Sequence, residues 1–133
     1  MRNAVRFRSP KFNTTEIKEH FINNICFGED LARELADGMK ERSLTVYDPW
    51  QEDWGWQLGA SECLISVGFD GDEWRIDVDP NIGFFAKLMG KTVDIPPVTS
   101  SIDSIIKADP ANTDIQWFCA SRSGQELDFA DVP

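Results

Sequence analysis

Alternation of apolar and polar side chains dominates the middle of the chain. Trp54, Trp56 and Leu58 fall on one side of a first run, Cys63, Ile65, Val67 and Phe69 on one side of a second, and Trp74, Ile76 and Val78 on one side of a third. A period of two is what a half-buried strand produces. Opposite these positions stand Gly55, Gln57 and Gly59, then Ser66 and Gly68, then Arg75, Asp77 and Asp79. One dry face and one wetter face mark an antiparallel sheet covered on a single side. Asp70-Gly71-Asp72 supplies the hairpin turn between the last two runs. The alternation recurs from Ala4 to Phe12, with Val5 and Phe7 against Arg6 and Arg8 until Pro10 stops it. It recurs again from Ser43 to Asp48, with Leu44 and Val46 inward and Pro49 ending the run, and from Asp114 to Cys119, with Ile115 and Trp117 on one side.

Helical spacing is clearest over about Glu29 to Glu41, where Leu31, Ala32, Leu35 and Met39 make one buried stripe. Glu29 and Asp30 in its first turn and Lys40 and Arg42 at its end oppose the helix dipole, which explains these charges without a metal site. Asn13-Thr14-Thr15 carries capping oxygens ahead of Glu16 to Ile22, a short helix or a turn. Gly83 to Met89 has the spacing of a further short helix closed by Gly90. Ile95-Pro96-Pro97 reads as an extended connector before a helix capped by Thr99-Ser100-Ser101, with Ile102, Ile105 and Ile106 buried and Asp109-Pro110 as its stop. The elements define an α+β fold: an antiparallel sheet of about four to six strands with two or three helices packed on one face. A single domain is expected over residues 1–120, with residues 121–133 as a polar C-terminal tail.

The 133 residues suit one domain, and 41% hydrophobic content with nine phenylalanines is enough to build a core. Against 13 bases stand 23 acids, a net charge of −10 that opposes nucleic acid and favours encounter with a basic protein partner. Cys26, Cys63 and Cys119 are odd in number and widely spaced, so reduced thiols are expected rather than a disulfide framework or a zinc knuckle. The arginines near the N-terminus precede no apolar run, and no stretch reaches membrane-spanning length, which gives the expectation of a cytoplasmic protein that does not engage membrane.

Candidate chemistry is sparse. Asp70-Gly71-Asp72-Glu73 begins like a calcium loop, but position twelve of that loop is Asn81 rather than a bidentate Glu, so a hairpin explains it better. His20 is the sole histidine, and nothing in the sequence places a cysteine beside it for nucleophilic catalysis. No catalytic, cofactor or metal residue is therefore assigned.

What remains is Asp48 to Trp56, which holds three of the five tryptophans beside adjacent acids. Trp56 and Trp74 are expected in the core. Trp50, Glu52 and Asp53, in the turn before the strand, and Trp54, at the hinge between turn and strand, are the candidate binding residues, because tryptophan concentrates binding energy at interfaces.

Phe21-Ile22-Asn23-Asn24, then Cys26-Phe27-Gly28-Glu29-Asp30-Leu31-Ala32, then Glu52-Asp53-Trp54-Gly55-Trp56 resemble a family of small uncharacterised bacterial proteins, across roughly Phe12 to Val78. The resemblance implies a bacterial, cytosolic, single-domain protein and carries no activity or catalytic residue with it. The reading that follows is a non-catalytic, acidic protein-binding module, of inhibitor or immunity type in general character, rather than an enzyme. The alternative is a small-molecule binder or small enzyme with a tryptophan-lined pocket and Glu52 or Asp53 as acid or base.

Overall fold

In the computed structural model, which describes residues 2–22, 26–80, 89, 90 and 94–120, the chain forms a six-stranded antiparallel sheet and two helices. The strands are β1 (Ala4–Arg8), β2 (Val46–Glu52), β3 (Gly55–Ala60), β4 (Cys63–Phe69), β5 (Trp74–Pro80) and β6 (Thr113–Phe118); the helices are α1 (Glu29–Glu41) and α2 (Pro96–Lys107). Strand order is β2-β3-β4-β5-β1-β6. The chain therefore crosses through α1 from β1 to the far edge, returns through a four-stranded meander, and adds β6 beside β1.

Register explains the two faces. Trp56 pairs with Val67 and Val67 with Ile76, Leu58 pairs with Ile65 and Ile65 with Val78, and Val5 pairs with Ile76. All seven are buried in one cluster with Leu31, Leu35 and Met39 of α1 and Val98, Ile102 and Ile106 of α2. Both helices thus cover the same inner face. Gly28 starts α1 at φ 134°, and a Cβ there would press on Val67 at 3.2 Å and Trp56 at 3.4 Å, so glycine fits both the backbone and the packing.

Two local expectations change. The run from Ser43 does not end at Pro49; β2 continues through it to Glu52, with a register shift between Tyr47 and Trp50. Proline is tolerated there because β2 is an edge strand and the shift is a bulge. Ile95-Pro96-Pro97 is no connector, since α2 begins at Pro96, where the first turn has no hydrogen bond for a proline to lose. Of the short helix or turn expected over residues 16–22, the turn is found, at residues 19–20, with the Asn13 side-chain oxygen accepting the Thr15 and Glu16 amides at 3.1 and 2.8 Å just before it. The helix expected over 83–89 falls, Met89 apart, outside the described residues, as does the tail after residue 120.

No helix among the described residues is long and apolar enough to cross a membrane.

Candidate functional site

The outer face of the sheet begins at the β2–β3 hairpin. Gln51 pairs with Trp56 and Glu52 with Gly55, which leaves Asp53 and Trp54 as a two-residue turn. Trp50 and Glu52 consequently lie on a strand, not in a turn, and Trp54 does not share a strand face with Trp56 and Leu58. The hairpin is anchored from beneath. The Cys26 carbonyl accepts the Trp56 indole N–H at 3.1 Å and the Gln51 side-chain amide at 3.2 Å, while the Cys26 thiol donates to the Asp53 carbonyl at 3.1 Å. Burial pushes the Cys26 thiol pKa up, with a smaller contribution from Asp53, so the sulfur stays protonated and serves as a donor.

Two tryptophans remain at the surface: Trp50 is 37% exposed and Trp54 51%, whereas Trp56 and Trp74 are buried at 3% and 0%. The Trp50 indole donates to the half-buried Glu52 carboxylate at 2.9 Å, which fixes ring and acid together. Asp53 is exposed at the turn. Tyr47, 66% exposed, lies over Gly59, where a Cβ would come within 3.0 Å of the ring. The four candidate residues are therefore contiguous, and the structure adds Tyr47 to the same edge.

Beside Trp54 the outer face hollows into a cleft of about 310 Å³, lined also by Arg6, Gly68, Asp70, Glu73 and Arg75. Its acids come from the β4–β5 hairpin, not from Glu52 and Asp53. Asp70 accepts the Asp72 and Glu73 amides at 2.8 and 2.7 Å, and these backbone donors hold its pKa below the usual carboxylate value. The residues that begin like a calcium loop thus close a turn. Among the described residues no group of three or more histidines, cysteines or acids is arranged to hold a metal.

His20 points its ring nitrogen at Glu29, 2.7 Å away, and Glu29 also receives Arg33 at 3.3 Å. Cys63 is buried under the sheet, its thiol pKa pushed up to about 11 chiefly by desolvation. The cleft residues that sequence reasoning did not count as site members are Arg6, Gly68, Phe69, Asp70, Glu73 and Arg75; a glycine at a period-two outward position inside a strand was the available signal.

No family model matches the chain, and no curated protein or solved structure is significantly similar to it.

Proposed function

We propose that this protein is a non-catalytic binding module of the bacterial cytoplasm that engages a basic protein through the β2 edge and adjoining outer face, at Trp50, Glu52, Asp53 and Trp54. The observation that carries the reading is two solvent-exposed indoles on one rigid hairpin, that of Trp50 hydrogen-bonded to the Glu52 carboxylate. Exposed tryptophan on a pinned backbone offers contact area at little entropic cost, which is the property of an interface anchor. The net charge of −10 supplies the attraction that brings a basic partner in.

Immobilised protein tests this directly. Basic proteins are expected to be retained from a bacterial lysate at low ionic strength and released as salt shortens the screening length. Trp50→Ala and Glu52→Ala are expected to abolish retention; equal capture by both variants and the wild type would place the interface elsewhere. The cleft beside Trp54 favours a competing small-molecule reading, which instead requires ligand-dependent tryptophan fluorescence that salt barely changes.

A further inference from the structure

Strand alternation sends Gly55 and Gly68 to the outer face side by side; a Cβ on Gly55 would lie 3.5 Å from the Gly68 Cα. The two glycines have different reasons. Gly55 has no room for a side chain against the β4 backbone. Gly68 has room, since a Cβ there would meet only the Trp54 carbonyl oxygen at 4.0 Å, and it does not adopt a positive φ. Glycine weakens a strand interior, so a glycine demanded neither by conformation nor by packing leaves space as its only contribution. That space is the floor of the 310 Å³ cleft.

The charges around the cleft are distributed unevenly. Arg75 is held bidentately by Asp77 at 2.7 and 3.0 Å. The guanidinium carbons of Arg6 and Arg75 stand 4.8 and 4.9 Å from the centre of the Phe118 ring, and Phe118 lies on β6, beyond β1 from Gly68. Both cationic heads are thus engaged at Phe118, and both arginines also line the cleft. Arg8, at the same end of the sheet, is engaged by Asp72 and Asp114. On the Gly68 side remain the exposed Trp54 ring, the ionised Asp70 and the half-buried Glu73, whose carboxylate makes no hydrogen bond or salt bridge among the described residues but lies within the field of Arg8.

We propose that this cleft seats one arginine side chain of the basic partner, stacked on Trp54 and paired with Glu73. The proposal rests on the binding reading above and names its contact. A planar guanidinium stacks on an indole and meets a carboxylate with two parallel N–H donors, which the compact ammonium of lysine does not do. The volume lies at the small end of ligand sites and suits a single side chain.

N-acetyl-L-arginine methylamide is the probe, titrated against the whole protein while tryptophan fluorescence and the Gly68 amide resonance are followed, with N-acetyl-L-glutamate as the anionic comparator. Saturable quenching and a Gly68 shift with the arginine probe are expected. Gly68→Val, which fills the floor, and Glu73→Gln are each expected to weaken binding about tenfold or more, the scale of one desolvated cation contact. Unfolding midpoints confirm that both variants fold. Undiminished binding by Gly68→Val, or preference for the glutamate probe, would overturn the proposal. No partner protein is present in this titration, so its failure and failure of the lysate capture are separate results.

Discussion

Gly55→Ala and Gly68→Ala put the same methyl group on neighbouring strands and are expected to shift stability in opposite directions. At position 55 the new Cβ would come within 3.0 Å of the Val67 carbonyl oxygen, with Val67 C at 3.4 Å and the Gly68 Cα at 3.5 Å. All three are backbone atoms, so no rotamer change relieves the overlap. β3 must move away from β4 where Trp56 pairs with Val67, stretching the ladder at one of the most buried points of the sheet. Overpacking of this kind costs about 1–3 kcal/mol, and the upper half of that range applies because the obstruction cannot rotate away. At position 68 the methyl meets nothing closer than 4.0 Å, and removing glycine's unfolded-state freedom stabilises by about 0.5–1 kcal/mol. The two variants should therefore lie roughly 2.5–4 kcal/mol apart. Equilibrium urea unfolding measures this, provided the denaturant slope matches the wild type. A Gly55→Ala protein within about 0.5 kcal/mol of wild type, or a Gly68→Ala protein less stable than wild type, would refute the packing account of both glycines.

Thiol reactivity should follow burial: the partly exposed Cys119 is expected to react with Ellman's reagent in the native state, while Cys26 and Cys63 wait for unfolding. Because burial pushes the folded Cys63 thiol up to about 11, above the ordinary thiol value of 9.0, the unfolded chain loses its proton first; the Cys63 contribution should be level below pH 9 and fall as pH rises towards 11, a decline that Cys63→Ala removes from the difference between pH 8 and pH 11 unfolding curves. Asp70 works at the other end of the scale. Its folded pKa lies below the ordinary aspartate value of 3.8, so its contribution is present above that pH and disappears as the folded group protonates, and Asp70→Ala should lose about 1 kcal/mol at neutral pH with a shallower acid limb in thermal unfolding. Trp50→Ala and Glu52→Ala, by contrast, should stay within about 1 kcal/mol of wild type by urea unfolding while losing partner capture, since both lie on the outer face of an edge strand.

Periodicity made the sheet and α1 legible because their burial is decided by spacing alone. Leu31, Ala32, Leu35 and Met39 are all buried, and so are the inward residues of β3, β4 and β5 except the half-buried Phe69. The start of α2 was obscured by Pro96 and Pro97: two prolines read as extended chain unless they fall in the first turn, and tertiary burial of Val98 and Ile102 draws the helix back to them. The cleft was obscured for a different reason. Its walls, Trp54 on one hairpin and Glu73 on another, are joined by cross-strand register, which a period of two does not encode.

The site hinges most on the irregularity in β2. Val46 pairs with Ala60 on the inner face, so strict alternation would carry Asp48 and Trp50 inward as well. The shift between Tyr47 and Trp50 resets the phase. Trp50 comes opposite Gln57 on the outer face, and Gln51, opposite Trp56, turns inward to reach Cys26. One extra residue at Asp48-Pro49 thereby places Tyr47, Trp50 and Glu52 on the same outer edge and leaves Gln51 to join Trp56 in pinning the hairpin to the loop beneath. A bulge on an edge strand also disfavours indiscriminate pairing with another sheet. It presents the indole through its side chain while blunting the backbone edge, which is the combination a specific protein-binding surface requires.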